Sequence, residues 1–171
     1  MPALIRVSLL RDRTVTQGGV ELLHEWAEAG PDTIWVDITN PTQEDIEPLL
    51  EEWFRFHELA TEDSLSPTTL PKYDRFKRYD FFVFRSIDVN IAQHGVETLK
   101  LACFLGANYL FTIHRTALRS IDSVWHRIPH DGRIMRRGPD FLLYSILDFL
   151  VDSHFPALDE IEERIDEIHE V

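Results

Sequence analysis

One cysteine, two methionines and seven glycines in 171 residues exclude several kinds of chemistry at the outset. Cys103 stands alone, so no internal disulfide forms. In its apolar, strand-like surroundings it reads as a packed small hydrophobe in a reducing compartment. There is no glycine-rich phosphate loop, no Gly-x-Ser-x-Gly elbow and no His-Glu-x-x-His pair, and the lone thiol has no activating neighbour. The chain is therefore expected not to be an enzyme. Asn40-Pro41-Thr42 fails as a glycosylation site because proline holds the middle position. Met1 to Leu10 is too short an apolar run for a signal peptide. The longest apolar run, Phe141 to Val151, is broken by Ser145 and Asp148 and is too short to cross a bilayer, so a soluble chain is expected.

Basic residues are also scarce: 17 lysines and arginines face 30 acids, a net charge of −13. Eight of those acids lie between Asp152 and Val171, against one base, Arg164. Such a field repels nucleic acid and anionic lipid and concentrates cations. Its plainer reading is a solvated helix face. Arg133, Arg136 and Arg137 lack interleaved aromatics and are too few to suggest nucleic-acid binding.

What is present is a long C-terminal pattern. Tyr144, Leu147, Val151, His154, Leu158, Ile161, Ile165 and Ile168 alternate spacings of three and four, the seam of a helix that packs along another helix. Asp148, Asp152, Asp159, Glu163, Asp166 and Glu170 form a second, acidic row. His154, inside the seam, reads as a packed or hydrogen-bonded histidine. No capping glycine closes the pattern, which suggests a cut through a longer helix, and Pro156 should bend it.

Upstream, Leu4 to Leu10 and Thr33 to Ile38 read as strands, with a polar loop and a helix, Val20 to Ala29, between them. Asn40-Pro41-Thr42 starts a helix running to about Trp53, and a shorter one covers His57 to Ser64. Lys72–Phe76, Tyr79–Ile87, Glu97–Leu105 and Tyr109–His114 read as a meander whose last hairpin turns at Gly106-Ala107-Asn108. Ala117 to Ile128 is helical. The expected architecture is an α/β/α sandwich with a mixed central β-sheet over residues 1–138, then a long stalk helix over 139–171.

Several stretches resemble one family. They are Trp35-Val36-Asp37-Ile38-Thr39-Asn40-Pro41-Thr42, His57-Glu58-Leu59-Ala60-Thr61-Glu62-Asp63 with Pro71-Lys72, Tyr79 to Phe84, Phe104 to Arg115, and Leu142 to Asp152. In this order and spacing they resemble the cytoplasmic N-terminal domain of the CorA-type divalent-cation transporters. The resemblance implies a domain on the cytoplasmic side of the cell (inner) membrane, feeding a stalk into a pore formed by a homo-oligomer of five subunits. The Gly-Met-Asn pore signature of that family is not in this sequence. The implied cargo is magnesium or cobalt. A ZntB-like zinc transporter is the neighbouring alternative, and a soluble self-associating scaffold unrelated to transport is the reading from another class.

The resemblance further implies that Glu62, Asp63, Asp148 and Asp152 bind regulatory Mg2+ at subunit interfaces, weakly, with Co2+, Ni2+ or Zn2+ as substitutes. From the residues alone, Asp148 and Asp152 share one helix face and can offer two oxygens to a hard cation that keeps much of its water. The competing reading has them pairing with nearby arginine or lysine, with Glu62-Asp63 in solvent. Thr68 and Leu70 stand where related proteins can carry His and Arg. His126 and His130 have the spacing of a zinc pair, but Pro129 lies between them and a surface pair is the better reading.

Overall fold

A computed structural model describes residues 3–28, 30–90 and 95–169. Its centre is a seven-stranded sheet in the order β2-β1-β3-β7-β6-β5-β4. The strands are β1 (Leu4–Arg11), β2 (Thr14–Gly18), β3 (Thr33–Thr39), β4 (Lys72–Arg75), β5 (Tyr79–Asn90), β6 (Gly95–Gly106) and β7 (Tyr109–His114). Every pairing is antiparallel except β3 with β7. All six residues of β7 are buried, as are the first six of β3, as expected for central strands covered on both faces.

Alternation along β3 sorts two cores. Ile34, Val36 and Ile38 join Phe54, Phe56, Phe104 and Phe111 on one face, while Trp35 joins Leu110, Ile121, Ile134, Leu142 and Ile146 on the other. Helices α1 (Gln43–Glu47) and α2 (Glu58–Leu65) cover the first face. Helices α3 (Arg119–Arg127), α4 (Arg133–Arg136) and α5 (Pro139–Asp152) cover the second, and α6 (His154–His169) continues from α5. The mixed α/β/α sandwich expected from the sequence is the observed fold.

Local differences have physical causes. The loop expected after β1 contains strand β2, reached through Asp12 and Arg13 in the left-handed region without any glycine. The helix expected over Val20–Ala29 is only a 3-10 stretch, Val20–Glu25; Ala29 lies outside the described residues. Trp26 turns extended, which places its ring against Phe54 and Tyr109. The helix expected to run to Trp53 changes character at Pro48, whose missing N–H breaks the ladder. It widens into a π stretch, Pro48–Trp53, closed by Phe54 N–H donating to Leu49 O at 3.2 Å. Arg55, at a φ of 56°, then lets both Phe54 and Phe56 enter the core.

The stalk pattern departs most. The helix breaks at Ser153, where the missing N–H of Pro156 leaves the Asp152 carbonyl without its helical partner. Pro139, Leu142, Leu143, Ile146, Leu150 and Ala157 are its buried residues. Of the seam read from the sequence, Tyr144, Val151, Leu158, Ile165 and Ile168 are exposed, with Phe155 beside them, while Leu147 packs against the second core and Ile161 is half-buried. His154 does find a partner, accepting from Ile87 N–H at 3.2 Å. The run Pro139–His169 is long and apolar enough to cross a membrane by length and composition. Its first half, however, is spent on the domain core. Glu170, the end of the acidic row, lies outside the described residues.

Candidate functional site

Helix α2 is short and capped at its start by His57, whose Nδ1 accepts from Leu59 N–H at 3.2 Å. Ala60, Thr61 and Ser64 face inward, which turns Glu62 outward and leaves Asp63 at the rim. Glu62 borders an open cavity of about 730 Å³ together with Glu47, Glu51 and Glu58. Asp63 is already engaged. Its Oδ2 lies 2.5 Å from Lys72 Nζ, which also reaches Asp74 Oδ2 at 2.7 Å. Those two carboxylates hold the Lys72 ammonium above its ordinary range.

Asp148 and Asp152 lie exposed on α5, and among the described residues neither makes an ion pair. The arginine partners of the competing reading are therefore not engaged, although Arg127, Arg133 and Arg137 line the same cavity of about 300 Å³ as Asp148. Arg133 is bound instead to Asp131, at 2.7 Å. Helix α2 packs into one core and α5 into the other, so the sheet stands between the two acidic pairs. The structure thus brings Glu62 next to Asp63 and Asp148 next to Asp152, but does not bring the pairs together. Among the described residues, no three His, Cys, Asp or Glu are placed to hold a metal ion. His126 donates to its own helix at Asp122 O, 2.7 Å away, and His130 is exposed in the turn that follows.

Two features were not legible as sites. The first is a buried polar network behind β3. Asp37, fully buried, accepts from Arg6 Nε at 2.8 Å, from Thr112 Oγ1 at 2.6 Å and from His114 Nε2 at 3.0 Å. Trp35 Nε1 donates to Thr112 Oγ1 at 2.9 Å, and Arg6 also reaches Asp122 at 2.7 Å. Burial pushes the Asp37 carboxyl up, but His114, Arg6 and Thr112 more than offset this and hold it below the ordinary carboxylate range. Strand alternation places Trp35 with Asp37, and Thr112 with His114, on one face of their strands; nothing in the sequence pairs Asp37 with His114 across 77 residues of chain.

The second is a crevice of about 190 Å³ at the carboxyl ends of β3 and β7, between Pro41, His114, Arg115 and the end of α2. Burial, then repulsion from Arg85, pushes the Lys100 ammonium in its wall down to about 8.

A family described as "CorA-like Mg2+ transporter protein" matches residues 31–171. The putative metal ion transporter YfjQ of Bacillus subtilis is 35% identical over 80% of this chain and 41% of its own length. The cobalt/magnesium transport protein CorA of Thermotoga maritima is 31% identical over 80% of this chain and 39% of its own. The chain thus spans about two fifths of these relatives. Among solved structures, the ZntB cytoplasmic domain of Vibrio parahaemolyticus superposes with a TM-score of 0.74 at 20% identity, covering 98% of this chain and 65% of that one. The soluble domain of CorA from Methanocaldococcus jannaschii gives 0.71 at 19%, covering 96% and 63%. At those identities the likeness is one of fold. The sequence matches carry more, and by them this chain belongs to the CorA-like Mg2+ transporter family.

Proposed function

We propose that this chain is the cytoplasmic, cation-sensing part of a magnesium/cobalt transporter, and that it works in a homo-oligomer, with five copies as the family resemblance implies. In this reading the domain covers residues 1–138 and the stalk starts with α5, whose inner face still packs on the domain core, and continues through α6. Glu62 and Asp63 of one copy face carboxylates of the next, Asp148 and Asp152 among them, and Mg2+ with its retained waters bridges them. The ion offsets like-charge repulsion and favours a closed arrangement. When it leaves, the copies separate and the stalks move, a shift in population that requires tighter binding to the closed state.

The observation that carries this reading is the split placement of the acids. One chain holds them on opposite sides of its sheet, so an ion that needs both pairs needs two chains. The outward row Tyr144, Val151, Leu158, Ile165 and Ile168 supports the same view, because a helix seam left open in one chain fits a helix contact in an assembly. The exposed acids Asp159, Glu162, Glu163, Asp166 and Glu167 add a diffuse field that gathers cations, screened beyond about 10 Å at ordinary salt.

The fold does not choose the ion, since CorA and ZntB soluble domains superpose on it similarly. Magnesium and cobalt are preferred because the more similar sequences include a cobalt/magnesium transport protein. The scaffold reading has nothing comparable behind it. The test is thermal melting of the assembled full-length transporter with and without Mg2+. The wild type gains stability from an ion that binds only the folded assembly. A variant with Glu62, Asp63, Asp148 and Asp152 all changed to amides gains none. Equal gain in both would reject the site.

A further inference from the structure

The crevice at the carboxyl ends of β3 and β7 lies where the chain parts. After β3 it passes to the face covered by α1 and α2; after β7 it passes to the face covered by α3. Parallel strands whose connections leave in opposite directions open a cleft between them, and ligands of open α/β sheets bind there. The walls of this cleft carry Arg85, Lys100, His114 and Arg115 in a protein whose net charge is −13.

Among the described residues none of Arg85, Lys100 and Arg115 has a carboxylate partner. Arg85 donates to the carbonyls of Pro67 at 2.6 Å and Thr69 at 2.9 Å. Lys100 donates to the carbonyl of Asp63 at 2.5 Å and to that of Ser66. Asp63's carboxylate is occupied by Lys72. Arg115 makes one long contact among the described residues, 3.4 Å to Leu65 O, out of five N–H groups. His114 lines the crevice as well, but its charge is matched by the buried Asp37 carboxylate, 3.0 Å from Nε2, so the uncancelled charge is that of Arg85, Lys100 and Arg115. These carbonyls orient the cations and leave their charge uncancelled.

The geometry points to a binding site for a compact oxyanion of the phosphate class in this crevice, with Arg115 and Arg85 as its guanidinium donors and Lys100 behind them. A volume of about 190 Å³ admits a phosphate ion together with several waters. The adjoining cavity is walled by Glu47, Glu51, Glu58 and Glu62, which disfavours further phosphates of a nucleotide and favours free phosphate. The site is independent of the cation reading and is measured without divalent metal.

Calorimetric titration of the chain with inorganic phosphate, against chloride at matched ionic strength, should show saturable one-to-one binding. Arg115→Gln removes a side chain whose contact with Leu65 O is long, at 3.4 Å, and exposed, so it should nearly keep the wild-type melting temperature. It should nevertheless weaken phosphate binding roughly tenfold or more, the scale of a lost charge-assisted pair. ATP is the second arm. Weaker binding than phosphate identifies the free ion as the occupant, and binding of ATP alone, lost in Arg115→Gln, identifies a nucleotide's phosphate. No saturable binding of either, or equal affinity in wild type and Arg115→Gln, would overturn the assignment.

Discussion

His114 faces an acceptor with each ring nitrogen: Nε2 lies 3.0 Å from Asp37 Oδ1 and Nδ1 lies 2.6 Å from Thr116 O. Proton counting narrows its state. Trp35 N–H can only donate, so Thr112 Oγ1 accepts from it and passes its own proton to Asp37. Arg6 can only donate as well, and the Thr116 carbonyl can only accept. One proton is shared between His114 Nε2 and Asp37 Oδ1, and the lowered Asp37 and raised His114 pKa directions favour it on the imidazole, held between a buried carboxylate and a carbonyl. Burial pushes its pKa down, but the Asp37 bond and charge outweigh this, and the net shift is upward.

That relationship sets a pH window. With a raised folded pKa, His114 stabilises fully below its unfolded value of about 6.5 and loses this contribution as pH rises through the folded value. Asp37, with a lowered folded pKa, stabilises above about 3.9 and loses its contribution as pH falls through the folded value. Melting temperature plotted against pH should decline on both sides. His114→Gln should flatten the alkaline limb relative to wild type, and Asp37→Asn should cost about 3–5 kcal/mol at neutral pH by removing the carboxylate that Arg6 and the buried His114 share, which leaves His114 without a counter-charge and Arg6 with Asp122 alone. Parallel alkaline limbs in wild type and His114→Gln would contradict the assigned charge.

Gly106 begins the β6–β7 turn under the ring of Tyr109. A Cβ there would sit 2.2 Å from that ring, and Tyr109 is only 1% exposed, so the ring has nowhere to move. Gly106→Ala should destabilise the chain by about 1–3 kcal/mol or more, read by urea denaturation. A midpoint equal to wild type would show that the turn relaxes.

The first part of the stalk has an inward and an outward apolar face, and the two should respond differently. Ile146→Ala, on the buried face, should cost about 2–5 kcal/mol in the chain itself. Leu158→Lys, 54% exposed, should leave the melting temperature of the chain nearly unchanged while weakening assembly of the full-length protein, read by sedimentation.

Lys72 competes with any ion for Asp63. Lys72→Met removes a tethered cation 2.5 Å from Oδ2 and should raise apparent Mg2+ affinity roughly two- to fivefold, the scale of a partly exposed ion pair. Inhibition of transport by internal Mg2+ measures it; an unchanged midpoint would remove Asp63 from the site.

The strands were legible where apolar or β-branched residues run unbroken, as in Thr33–Thr39 and Tyr109–His114. Strand β2 was hidden because its turn uses Asp12 and Arg13 in place of glycine. The period of the stalk showed that it has an apolar face but not which face the domain consumes. Leu142, Ile146 and Leu150 repeat as regularly as Tyr144, Val151 and Leu158, and only contact with the core separates them. Glu62, Asp63, Asp148 and Asp152 were named through resemblance. Their separation by the sheet, and the capture of Asp63 by Lys72, are tertiary facts that no local pattern encodes.

The most direct measurement is divalent-cation flux through the full-length transporter as internal Mg2+ is raised, in wild type and in the variant with Glu62, Asp63, Asp148 and Asp152 changed to amides. Wild-type flux should fall as internal Mg2+ rises, and the variant should stay open at concentrations that close the wild type. Identical inhibition curves would contradict a cation sensor built from these carboxylates.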